Sequence, residues 1–156
     1  MINSFGKVLK MHLFGGSHEQ LVGVILEGMP SGININVKDF TEYINRRKGG
    51  TTATTDRVED DIPQILTGVV NDVTTGLPIT ILFTNEHKDS KNYDLFKFWP
   101  RPGHADFTQN IKFGKKADIR GGGMASGRMT LPMMIVGLIA AKCIPTITAK
   151  AYISNI

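Results

Sequence analysis

The chain has 156 residues, with 18 Lys and Arg against 14 Asp and Glu, for a formal net charge of +4. That length fits one domain able to bury a real core. A hydrophobic fraction of 41% beside 21% charged residues excludes disorder as a description of the whole chain. No apolar run approaches the roughly 20 residues a membrane span needs; the longest, Leu131 to Ile144, carries Pro132, Gly137 and Lys142. The start, Met1 to Lys7, has no basic-then-apolar export pattern. One cysteine, Cys143, excludes an internal disulfide and a cysteine-cluster zinc site, and it points to a reducing, cytoplasmic compartment. The pI near 9.3 calls for an acidic partner. Nucleic-acid binders present a basic stripe interleaved with aromatics. Here Arg46, Arg47, Arg101, Arg120 and Arg128 sit in small groups near glycine, which suits a phosphate-bearing small ligand rather than a duplex.

In chain order, Lys7 to Phe14 reads as a strand that runs into Gly15-Gly16, and Leu21 to Glu27 reads as a second strand through the alternation of Val22, Val24 and Leu26. Met29 to Gly32 is a turn. Val37, Phe40, Tyr43 and Ile44 have helical spacing over 36–47, with Asn36 or Asp39 as the cap. Gly49 to Arg57 has no period and reads as a loop. Ile65 to Asn71 and Leu77 to Phe83 are β-type runs joined by Asp72 to Gly76 as a hairpin connection. Asn85 to Ala105 is long, polar and aromatic, a length of irregular chain that is commonly functional. Residues 127–143 are the best helix candidate, after Gly121-Gly122-Gly123, and Thr146 to Ile156 alternates as a strand.

Four segments carry candidate chemistry. Phe14 to Glu19 places Ser17 and His18, a donor and a ring that titrates near working pH, on a glycine turn. Arg101-Pro102-Gly103-His104-Ala105-Asp106 combines a tight turn with a guanidinium fork for phosphate or carboxylate, and Asp106 is placed to orient His104. Arg120 to Arg128 is a glycine-rich loop running into a helix, a pattern that exposes backbone N–H groups to an anion. It is neither a Walker loop nor a dinucleotide fingerprint. Asn45 to Thr52, with Thr54 to Arg57, reads as a basic clamp for phosphate or flavin, or as charge on a helix end. Each has a plain alternative: a structural turn, a solvated histidine or a linker. His12 and His87 read as structural or solvated, and Cys143 as core.

Taken together and in this order, these segments resemble the N-terminal part of chorismate synthase. The resemblance rests on Asn3 to Gly6, Phe14 to His18, Arg46-Arg47, Thr54 to Arg57, Thr74 to Ile79, Arg101 to Asp106, Arg120 to Gly123 and Ala151 to Ser154. It implies an α+β fold, a partial β-α-β sandwich, with 1–156 a single N-terminal portion truncated at its C-terminus. It also implies the elimination of phosphate from 5-enolpyruvylshikimate 3-phosphate to give chorismate, a lyase reaction of aromatic amino-acid biosynthesis. The cofactor is reduced FMN, with NADPH as a possible reductant, and the assembly is a homotetramer without nucleic acid or membrane.

By the same resemblance, His18 donates a proton to the departing phosphate and His104 serves the reduced flavin. Ser17, Arg46, Arg47, Arg120 and Arg128 hold the anionic substrate. Arg47, Met124, Ala125 and Ser126 contact cofactor. The chain departs from the family pattern at Gly16 and Glu19, where Glu and Gly have changed places around Ser17-His18, and at Met124, where a basic residue is common. These departures keep open a second reading, an inactive homologue or an anion- or flavin-binding module.

Overall fold

The computed structural model describes residues 3–49, 59–86 and 93–155. The expected loop beyond Gly49, the Thr54 to Arg57 segment and His87 lie outside them.

A five-stranded antiparallel sheet organises the chain. Its strands are β1 (Ser4–Phe5), β2 (Lys10–Gly15), β3 (Leu21–Glu27), β4 (Gln64–Thr67) and β7 (Ile79–Thr84), in the spatial order β1-β2-β3-β7-β4. The period-2 pattern of β3 does what it predicts: Val22, Val24 and Leu26 point to one face and are buried. In register beside them lie Leu13 and Met11 on β2 and Phe83, Ile81 and Ile79 on β7. This face is covered by α3 (Thr130–Ala141), whose Leu131, Ile135 and Ile139 are fully buried at i, i+4, i+8. Each such aliphatic side chain contributes about 2 kcal/mol on removal from water.

The helical run Arg120–Ala141 has the length and composition of a membrane span, but it is not one rod. Gly121, Gly122 and Gly123 take φ of 57°, 85° and 54° and break it. Only the 12 residues of α3 are α-helical, roughly 18 Å of axis against the ~30 Å hydrocarbon core.

The first helix is α1 (Thr41–Arg47), entered through a 3₁₀ turn at Val37–Phe40. Asn36 caps this 3₁₀ turn: its side chain accepts from Lys38 N, and Asp39 reaches back to accept from Asn36 N in a capping box. Lys142 Nζ lies 2.5 Å from Asp39 Oδ2 and ties the end of α3 to this cap. α2 spans Asp106–Lys112.

Three expectations are corrected. The strand read from Lys7 begins at Lys10, because the chain turns at 6–9 between β1 and β2. The β-runs on either side of 72–76 do not form one simple hairpin. β4 pairs with β7, and the intervening residues make their own ribbon of β5 (Val69–Val70) and β6 (Val73–Thr74). Asn71 and Asp72 turn that ribbon at φ 50° and 62°, a left-handed pair that these two residue types tolerate. Finally, 146–155 forms no strand. Ile147, Tyr152 and Ile153 are exposed and have no ladder partner among the described residues, and alternation without a neighbour does not make a strand.

Candidate active site

The β2–β3 connection, the end of β7, the end of α1 and the start of α3 meet at one end of the sheet. The chain leaves β2 at Gly15, turns through Gly16 to Glu19 and enters β3; Glu19 N donates to Gly16 O at 3.1 Å. Ser17 and His18 project from this turn and are buried. A cavity of 480 Å³ opens against them, with Arg47, Arg128, Ser126 and Tyr93 among its walls.

His18 is seated from two sides. Its ring meets the Tyr93 ring edge-on, with centroids 5.0 Å apart. Gly121 backs it on the other side, so close that a β-carbon there would overlap the imidazole and the Ser17 hydroxyl. The left-handed glycine therefore serves the approach as well as the turn. Behind it, Ser17 N donates to Gly123 O at 3.3 Å.

Asp61 supplies the countercharge. Its carboxylate is buried and takes Arg128 Nη1 on Oδ1 and Arg47 Nη1, at 3.3 Å, on Oδ2. The two guanidiniums are held differently. Arg128 is 8% exposed and also donates Nε–H to Asn85 Oδ1 at 2.9 Å. Arg47 is 24% exposed, and its other contacts, to Gly127 O and Thr130 Oγ1, are long at 3.5 and 3.4 Å. Burial pulls the Arg47 guanidinium below its ordinary pKa, Asp61 opposes that, and the neighbouring Arg128 adds to it. It stays charged at any working pH. Arg128 is thus an anchored cation and Arg47 a loosely held one facing the cavity.

Other residues singled out in the sequence lie apart from this cavity. Arg46 is exposed on α1. His104 is exposed, with Nδ1 3.0 Å from Pro102 O. Asp106 does not orient His104 as expected; it is taken by Arg101, through Nε at 2.7 Å and Nη2 at 2.9 Å, because the turn brings the fork back onto its own chain. Arg101 is further occupied by the faces of Tyr93 and Phe96.

Arg120 is held by Asp118, which its guanidinium keeps below the usual carboxylate pKa range. It lines a neighbouring hollow that also touches His18. Met124 and Ala125 face a separate cavity of 560 Å³, whose apolar walls include Phe5, Met11, Leu13 and Phe113. Ser126 alone of that trio reaches the His18 cavity, and its hydroxyl oxygen accepts from Arg128 N. Sequence reasoning missed Asp61, Asn85 and Tyr93. The first had a signal: two arginines bound for one buried site require a carboxylate.

A glycine-backed histidine, a serine and two arginines face one pocket, with the carboxylates of Asp61 and Glu59 among its walls, the makings of a polar enzyme site. The comparisons give the family. A chorismate synthase family model matches residues 9–156. The chain is 46% identical to a chorismate synthase of Chitinophaga pinensis, over 99% of this chain and 47% of that one. It is 43% identical to that of Thermococcus gammatolerans, over 97% and 43%, and 45% identical to that of Dehalococcoides mccartyi, over 94% and 41%. A crystal structure of chorismate synthase superposes with a TM-score of 0.62 at 25% identity, over 90% of this chain and 35% of that one. This chain belongs to the chorismate synthase family, and it has the family's mixed α/β fold. It spans a little under half the length of the curated relatives it matches.

Proposed function

We propose that the His18 cavity is the phosphate-handling part of a lyase that converts 5-enolpyruvylshikimate 3-phosphate to chorismate and phosphate, a step of aromatic amino-acid biosynthesis. One observation carries this reading: Ser17, His18, Arg47, Ser126 and Arg128, from three separated segments, surround one cavity. The substrate brings a phosphate and two carboxylates. Charge grows on the phosphate as its C–O bond breaks, and preorganised cations stabilise that growth. Arg47 engages the phosphate through its loosely held fork. Arg128 adds a fixed positive field. His18 donates its proton to the departing oxygen, and its packing against Gly121 and Tyr93 fixes where that proton is delivered.

Reduced FMN, when bound, supplies the redox-active ring on which this redox-neutral elimination depends. The residues present fit it. Met124 and Ala125 border a cavity with the apolar walls a planar ring requires, and Ser126, next in sequence, lines the His18 cavity. Met124, Ala125 and Ser126 would hold the ring, with Arg47 toward the cofactor's anionic groups, and His104 would be the proton source for the reduced ring. NADPH as the reductant and a homotetrameric, cytoplasmic assembly complete the reading. The half-buried lone thiol of Cys143 and the exposed Phe98, Trp99 and Ile111 support these last two points.

The test is an anaerobic assay with chemically reduced FMN and the enolpyruvyl substrate, following chorismate and phosphate, with His18→Ala and His104→Ala alongside. Turnover lost in both variants upholds the assignment. Turnover unchanged in both overturns the roles of the two histidines. Phosphate binding without any chorismate from the unsubstituted chain would leave an anion-binding module.

A further inference from the structure

Asn85 lies just beyond β7 and is 3% exposed. Its single carboxamide is fully used. Nδ2 donates to Gly16 O and to Glu19 O, both at 3.0 Å, and Oδ1 accepts from Arg128 Nε at 2.9 Å. Its backbone N–H donates to Gln20 O at 2.9 Å. The two carbonyls fix which way the amide faces, since a flipped oxygen would confront both of them and leave Arg128 against an NH₂ group. Gly16 and Glu19 are the two ends of the turn that carries Ser17 and His18. One side chain therefore clamps both ends of the histidine turn and holds the anchored guanidinium. It does so from a residue that touches neither the cavity nor any group that reacts.

We propose that Asn85 is the positioning residue of this site, fixing His18 and Arg128 in one geometry through its two amide protons and its oxygen. The proposal deepens the chorismate-forming reading and rests on it for its kinetic part only. A buried amide whose three bonds all go to functional segments does more than fill space. Removing it takes the side-chain partner from Glu19 O and from Arg128 Nε–H, leaves Gly16 O with the Glu19 N–H alone, and frees the turn. A displacement of about 1 Å at a proton donor can cost about 100-fold in rate.

Two substitutions in the full chain separate the arms. Asn85→Asp keeps an oxygen for Arg128 but sets a second oxygen against Gly16 O and Glu19 O. Asn85→Ala removes both ties. The structural readout is the through-space NMR contact between the His18 and Tyr93 rings, together with the amide spectrum of the remainder as the control for folding. The kinetic readout is kcat and KM for chorismate formation.

The expected result for Asn85→Asp is loss of the His18–Tyr93 contact with kcat about 100-fold lower and KM within about threefold of the unsubstituted chain. Asn85→Ala loses the contact too, and its KM rises as Arg128 is released. If the alanine variant does not fold, the isosteric aspartate decides. Retention of the ring contact and of kcat within twofold in a folded variant overturns the proposal. If the unsubstituted chain makes no chorismate, the activity reading fails separately, and the ring contact alone decides the role of Asn85.

Discussion

Arg101 closes a two-pronged ion pair on Asp106 five residues further on, with Nε to Oδ2 at 2.7 Å and Nη2 to Oδ1 at 2.9 Å. Asp106 N-terminates α2 and is 1% exposed. The hydrogen bonds from the Arg101 side chain, outweighing the cost of burial, hold its carboxyl below the ordinary range. A carboxylate depressed in the folded state stabilises above its unfolded pKa of about 3.9, and that stability drains away as pH falls through the lower folded value. We expect Asp106→Asn to cost about 3 kcal/mol at pH 7 and to lose part of the acid sensitivity below about pH 4. Urea titrations at pH 7 and pH 3 check both; an equal loss at the two values would refute the linkage.

Gly121→Ala sets a methyl group against the His18 imidazole on a residue with φ of 57°. Strain alone costs about 1 kcal/mol. Displacement of His18 is expected to lower chorismate formation about 100-fold, while near-UV circular dichroism stays that of a folded chain. Gly137, exposed on α3 away from this cavity, where an added methyl meets nothing within 4 Å, is the control position.

Arg47→Ala should weaken binding of the phosphate-bearing substrate by about 10- to 100-fold, the size of one lost charge-assisted interaction. Calorimetric titration with inorganic phosphate and with substrate reads this directly. Arg47→Lys should restore only part of it, because an ammonium cannot present the planar fork. Equal affinity in all three proteins would remove Arg47 from the site.

Ile135→Ala empties a fully buried position between α3 and the sheet. The expected loss is about 3 kcal/mol, from lost burial plus the cavity left behind. It should appear as a lower denaturation midpoint at an unchanged slope.

The strands and helices that bury an apolar stripe were legible. Val22, Val24 and Leu26 announced β3, and the run from 127 announced the helix that became α3. α2 was invisible for the opposite reason: it buries Asp106 and Asn110 and exposes Phe107 and Ile111, so its pattern runs against the rule that finds helices. The 146–156 segment alternated, and its described part, 146–155, still made no strand, because pairing belongs to a neighbour and not to a period.

At the site, glycine next to Ser17, His18 and the arginines marked the right segments. Which arginine is anchored and which is loose was not legible. That depends on Asp61 and Asn85, which meet Arg128 from 67 and 43 residues away. The guanidinium of Arg101, read as a ligand fork, is spent on its own turn.

Gly121, Gly122 and Gly123 stand in succession at positive φ, the first against His18 and the third against the Asp118 carbonyl. At the level of the gene this has a particular cost. Every change to the first or second base of a glycine codon yields a residue with a β-carbon or stops the chain, so only third-base changes can pass unnoticed at Gly121 and Gly123. Genetic drift at these two positions is therefore confined to synonymous codons, and a library of random single-base substitutions should return them almost unaltered at the protein level under selection for function, while Gly122, whose β-carbon would meet only Ser126 at 3.5 Å, admits more change.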